Sequence, residues 1–206
     1  MPSKRTEAEL RAAIGSASFT PGSRDVAPLL DLLKERDSDQ AEAVLRALVR
    51  VPAAAVRAAQ SRFEAAKPPE RLRLCDLVGR VAQAAPAAEL REWMEARLAD
   101  ADPHVARRAA RTLGKLGDAA SETALLRALA AAPAEPEAKA IVEALGRLGG
   151  ERSHEALAQL ADRPGELGRV VREARDKLAR VRARSVETTL DDRAKPARAI
   201  SVLLHV

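Results

Sequence analysis

The sequence predicts an all-α protein, an α-solenoid of about five antiparallel helix pairs, and three observations carry that prediction. The chain has 46 alanines among 206 residues, and its only aromatics are Phe19, Phe63 and Trp93. Alanine-, leucine- and arginine-rich chains favour helix, while β-sandwiches and barrels draw on the aromatic residues that are scarce here. A four-residue signature, apolar, small or Val, basic, apolar, recurs five times: Leu48-Val49-Arg50-Val51, Val78-Gly79-Arg80-Val81, Leu113-Gly114-Lys115-Leu116, Leu145-Gly146-Arg147-Leu148 and Leu178-Ala179-Arg180-Val181. Its spacings of 30, 35, 32 and 33 residues are the length of one helix pair. Prolines and glycines punctuate the chain at the same period.

The elements follow in order. A short helix near Thr6–Ile14 stands in front. First helices are expected at 25–36, 52–66, 86–100, 119–131 and 152–162, each with a helical pattern. Each signature then closes a second helix. Four residues before it sit Val44, Leu74, Ala109, Ile141 and Ala174; eight before it, in the last three repeats, sit Val105, Glu137 and Val170. With the first and fourth signature residues these make the i, i+4, i+8, i+11 stripe of a helix with one buried face. Gly117 and Gly149-Gly150 are C-terminal stops. Asp102-Pro103 is an N-cap followed by a first-turn proline, where the missing N–H costs nothing.

From Ser185 the helical period fades. Val186-Glu187-Thr188-Thr189-Leu190 and Ile200 to Val206 are strand-like, with a polar loop between them. The expected organisation is therefore a solenoid over 1–184 and a short non-helical tail over 185–206 that forms β-strands or begins a following domain.

The stretch from Asp102 to Gly117, and again from Glu135 to Gly149, resembles the second helix of the HEAT-like repeat, in the short form named after phycobilisome lyases. The resemblance covers roughly residues 25–184. It implies a right-handed solenoid whose second helices line the concave face. The family carries an Arg directly after the Val of its Asp-Pro-x-Val motif, as part of a polar ladder between repeats. Ala106 and Ala138 hold that position here, so the ladder is expected to be incomplete. Tetratricopeptide and ankyrin repeats lack their marker residues in this chain.

The charge balance is +5, concentrated at 163–184, where eight Arg or Lys face three Asp or Glu. No apolar run approaches the ~20 residues of a membrane span, and the charged N-terminus lacks a secretory apolar core. The single cysteine, Cys75, excludes an internal disulfide framework, and a cytoplasmic setting is expected. Its counterparts in three of the other four repeats are apolar, so it reads as a small buried hydrophobe. His104, His154 and His205 lie apart from one another, which gives no metal-ligand spacing. Phosphate loops and nucleophile elbows are missing, and no cofactor is expected. Trp93 reads as packing between repeats.

What remains is a surface. Positions six and two before the signature start, and two after it, share one helix face. They read Glu42, Arg46, Arg50; Leu72, Asp76, Arg80; Arg107, Arg111, Lys115; Lys139, Glu143, Arg147; Arg172, Asp176, Arg180. Candidate binding residues are Arg50, Arg80, Arg107, Arg111, Lys115, Lys139, Arg147, Arg172 and Arg180. Two readings of this basic row stand side by side. A cation in the last helical turn stabilises the helix dipole by roughly 0.3–1 kcal/mol, and a row of five would also suit an acidic protein surface or a nucleic acid. Two functional expectations follow: a non-catalytic scaffold or protein-binding module, or an N-terminal helical arm of a larger enzyme, such as an RNA-modifying methyltransferase.

Overall fold

The computed structural model describes residues 5–16, 18–34, 38–131 and 133–194. They form a leading helix, α1 (Glu7–Ile14), and five helix pairs: α2 (Val26–Leu32) with α3 (Ser38–Leu48), α4 (Pro52–Phe63) with α5 (Pro68–Ala84), α6 (Ala88–Ala96) with α7 (Pro103–Leu116), α8 (Glu122–Ala130) with α9 (Glu135–Leu148), and α10 (Glu151–Gln159) with α11 (Gly165–Ala194). Short 3-10 turns at Arg97–Ala99 and Ala119–Ser121 lead out of α6 and into α8. The architecture is the all-α solenoid that the repeats predict, with every expected helix in place.

Local chemistry explains the boundaries. Thr6 and Glu9 cap α1 reciprocally, each side chain accepting the other's backbone N–H. Prolines occupy the first turns of α4, α5, α7 and α9. The Asp102 carboxylate accepts the His104 N–H at 2.9 Å. Gly117 and Gly149 end α7 and α9 at φ 68° and 76°, a left-handed backbone that glycine adopts without a Cβ penalty.

The predicted stripe is the core. Val44, Leu74, Ala109, Leu48, Val78, Leu113, Leu145 and Leu178 are fully buried, and Ile141 and Ala174 nearly so. Phe63 is fully buried and meets the Trp93 ring edge-on, at 5.0 Å between centroids and 82° between planes. The Arg97 guanidinium lies 4.6 Å from both ring centroids, and Arg71 covers Phe63 at 4.7 Å. Trp93 therefore joins α6 to α4, as packing between repeats.

The second signature position sets how closely second helices approach. A Cβ on Gly79 would lie 2.9 Å from Thr112 Oγ1; on Gly114, 2.7 Å from Ala144 Cα; on Gly146, 2.8 Å from Ala174 Cβ. Each neighbour belongs to the next second helix. A glycine thus lets α5, α7 and α9 each press against its successor.

Polar ties run across the first helices as well. Arg62 binds Asp31 at 2.9 Å, Arg97 binds Glu64 at 3.2 Å, and Arg91 binds Asp118 at 3.0 Å. Glu122 accepts the backbone N–H and the hydroxyl of buried Ser153 at 2.8 and 2.7 Å. These bonds tie each first helix to the next.

One expectation is corrected. Val186–Leu190 is helical, because α11 runs unbroken from Gly165 to Ala194 across residue 185, where the sequence pattern places the start of a strand-like tail. Val and Thr cost a helix only tenths of a kcal/mol each, roughly up to 0.7. Extending a helix that residues 165–180 have already nucleated adds one hydrogen bond per residue fixed. Ile200–Val206, the other strand-like run, lies outside the described residues.

Candidate functional site

The row residues sit where the periodicity puts them, on the outward side of the second helices, but the structure divides them into two groups. In the N-terminal half the cations are engaged. Arg50, exposed, donates from Nη1 to the Phe19 carbonyl at 2.7 Å. Arg80 grips the Glu42 carboxylate with both terminal nitrogens, at 2.8 and 2.7 Å, and reaches Asp76 through Nε at 3.1 Å. This bidentate pair holds the Glu42 carboxyl below its usual range and pushes the Arg80 guanidinium up. Asp76 also takes Arg108 of α7 at 2.9 Å, so α3, α5 and α7 are stitched together.

Further along, α7 is linked to α9 more loosely, by Arg107 and Glu137 at 3.9 Å. Arg107 also contacts His104 Nδ1 at 2.9 Å. Lys139 pairs with Glu135 of its own helix at 3.3 Å, and Arg147 with Glu143 of its own helix at 4.0 Å, the limit of an ion pair. Arg172 donates to the Ala161 carbonyl at 3.2 Å. Arg111, Lys115 and Arg180 are exposed and have no ion-pair partner among the described residues. The open cationic surface is therefore Arg111, Lys115, Arg147 and Arg180, on three neighbouring second helices that the signature glycines bring close together.

The polar ladder is thus built without the family's Arg position. Ala106 and Ala138 are buried, and Arg80, Arg107 and Arg108 make the links instead. The sequence shows these charges but not their pairing. Glu137 is visible there as an acidic residue at the register position that Val105 and Val170 hold in the neighbouring repeats, but its role as the acceptor for Arg107 needs the neighbouring helix.

The rest of the described surface offers little chemistry. Groups of three or more His, Cys, Asp or Glu residues arranged to hold a metal ion are absent among the described residues. Cys75 is fully buried with its Sγ 3.9 Å from Met94 Sδ, and burial pushes its thiol up to about 12. A groove of about 940 Å³ between the ends of α8 and α10 is lined by Leu126, Leu129, Leu160 and Leu167. Its two carboxylates, Glu135 and Glu166, are paired with Lys139 and Arg169. No helix among the described residues is long and apolar enough to cross a membrane.

Residues 90–179 match the family model described as HEAT repeats. The match takes in most of α6, all of α7 to α10 and the first half of α11, with Arg111, Lys115 and Arg147 inside it and Arg180 just beyond it, and it does not single out the short phycobilisome-lyase form. No curated protein matches the chain.

Proposed function

We propose that this array of HEAT-like repeats is a non-catalytic scaffold that binds an acidic protein surface through the second helices of its last three repeats. One observation carries the reading. At the N-terminal end Arg80 is neutralised by a cross-helix pair and Arg50 is held by a backbone carbonyl, whereas Arg111, Lys115 and Arg180 stand open on adjacent helices and Arg147 meets only a carboxylate of its own helix, at 4.0 Å. Repeat solenoids work through such extended faces. Helix-dipole stabilisation accounts for Lys115 and Arg147 in the last turns of α7 and α9, but not for Arg180 inside α11, and it gives no reason for leaving these cations without a cross-helix partner on three helices in succession.

The same face argues for protein over nucleic acid. Non-specific single-strand binding combines cations with aromatic rings on which bases stack. The chain's three aromatics are Phe63, fully buried, and Phe19 and Trp93, both partly buried, all in the N-terminal half. A buried, protonated thiol is in keeping with a reducing cytoplasm.

The test is a titration of the protein with labelled poly-glutamate, RNA, DNA and heparin at low and moderate salt. Poly-glutamate is expected to bind, to weaken steeply with salt because exposed charges are screened over about 8–10 Å, and to lose affinity when Lys115, Arg147 and Arg180 are together changed to Gln. Failure of poly-glutamate to bind below ~100 μM (about −5.5 kcal/mol) at low salt, or undiminished binding by the triple variant, would refute the proposal. Binding of RNA alone would move the function to the nucleic-acid class.

A further inference from the structure

The space between successive first helices is filled in one part of the array and open in another. Between α4 and α6 it is filled. Phe63 closes α4 and meets Trp93 of α6 edge-on, Arg97 lies over both rings, and Arg71 of α5 covers Phe63 while binding Asp100 at 2.6 Å. Between α8 and α10 lies the groove of about 940 Å³. The two places correspond residue by residue. Trp93 is the sixth of nine residues in α6 and Ala156 the sixth of nine in α10, each followed by a fully buried residue, Met94 and Leu157. Arg97 and Leu160 directly follow those helices. Arg71 and Ala138 each lie seven residues before a signature start, Val78 and Leu145. Leu129 and Ala130 close α8 as Phe63 closes α4. All of these later residues line the groove. It is open because Ala156, Leu160 and Ala138 stand where the earlier junction has an indole and two guanidinium side chains.

We infer that the groove between α8 and α10 docks an acidic, aromatic-anchored segment of a partner protein, whose ring takes the place that Trp93 holds between α4 and α6. The filled junction specifies the anchor: a ring seated beside Leu129, over alanines that leave it room. Burying it takes leucine surface out of water, and aromatic anchors in pockets carry much of the energy of an interface. Charge specifies the rest. Glu135 and Glu166 are already paired with Lys139 and Arg169, whereas Arg163 lines the groove without an ion-pair partner among the described residues. A carboxylate beside the anchor answers Arg163, and a basic segment would not. The chain's own aromatics do not supply the ring, because Phe63 is fully buried and Phe19 and Trp93 partly so, within the packing of the N-terminal half. The inference rests on the scaffold reading but uses this groove rather than the row of Lys115, Arg147 and Arg180.

The test is fluorescence anisotropy of the full chain with a labelled peptide, Ser-Glu-Leu-Trp-Leu-Glu-Ser, at moderate salt, where exposed charges are screened. Saturable binding is expected. Exchanging the peptide's tryptophan for alanine should weaken it by about tenfold or more, as the loss of a buried anchor does. Ala156→Trp should weaken it as much, because the protein's own indole then fills the groove as Trp93 fills its junction. Arg163→Gln should weaken it several-fold, and Lys115→Gln should leave it unchanged. Circular dichroism checks that each variant folds, and the alanine peptide decides without any change to the protein. Absence of binding up to about 1 mM, equal binding of the alanine peptide, or equal binding by folded Ala156→Trp overturns the inference. Self-association that Ala156→Trp abolishes also overturns it, because the occupant is then a second copy. Binding that emerges only when residues 200–206 are deleted overturns it too, because that apolar run of the same chain is then the occupant. The alanine peptide keeps both carboxylates, so it separates the groove from the basic row, and the two ideas fail separately.

Discussion

Replacing Gly114 with alanine sets two effects of opposite sign against each other. In a helix interior the change gains about 1 kcal/mol of intrinsic propensity. The new methyl carbon, however, would stand 2.7 Å from Ala144 Cα and 2.8 Å from Ala144 Cβ. Carbon atoms rest at roughly 3.5–4.0 Å, so α7 and α9 must part by about 1 Å. The obstructing atoms are backbone and Cβ of a fully buried residue, which cannot swing aside as a flexible side chain would. Overpacking of this kind costs about 1–3 kcal/mol, and with no local relaxation the upper part of that range applies. The expected net loss is about 1–2 kcal/mol. For a chain of this size that is a fall in melting temperature of roughly 2–8 °C, read by circular dichroism at 222 nm. Ala144→Gly in the Gly114→Ala background removes the opposing methyl but leaves the backbone carbon in the way, so it should restore only part of the loss. A Gly114→Ala variant that melts above the parent would show that the glycine signature does not set the helix spacing.

Two further outcomes test the core. Leu145→Ala deletes a fully buried side chain from the stripe and should cost ~2–5 kcal/mol, loosening α7 and α11 together because repeats are stabilised by their neighbours; hydrogen exchange read by mass spectrometry checks whether the loss spreads. Cys75, held protonated by burial with its thiol pushed up to about 12, should resist a thiol reagent at pH 8 in the native state and react at once in denaturant. Its folded value lies above the unfolded ~8.5, so the protonated form favours the fold. The associated stability is full below about pH 8.5 and is lost as pH rises towards the folded value; a Cys75→Ala variant should lose that alkaline sensitivity.

The helices are legible in the sequence because their signals are local. Asp102-Pro103 and Gly117 mark the two ends of α7 by capping chemistry that needs no neighbour, and the spacing from Ala109 to Leu113 fixes its buried face. The tail departs from its sequence pattern for the complementary reason. Val186, Thr188 and Thr189 are residue types that favour strands, but their preference is worth tenths of a kcal/mol (roughly up to 0.7), less than the cooperativity of a helix already formed before them. The row is legible as a pattern and not as a surface. Arg80 and Lys115 hold the same signature position, yet one is clamped by Glu42 of the preceding repeat and the other is open.

Residue order alone was enough for the number of helices, their succession, their buried stripe and the repeat they build, since each depends on propensity, capping and periodicity within about fifteen residues. It was enough, too, for the positions that carry charge. Two things needed the packed array: which charges are used up inside it, and why the signature's second residue is glycine in α5, α7 and α9. Those outcomes depend on residues some 30 positions apart meeting across a helix interface. Whether a cation finds a carboxylate there is set by helix spacing and register, which the order of residues along a single helix does not encode.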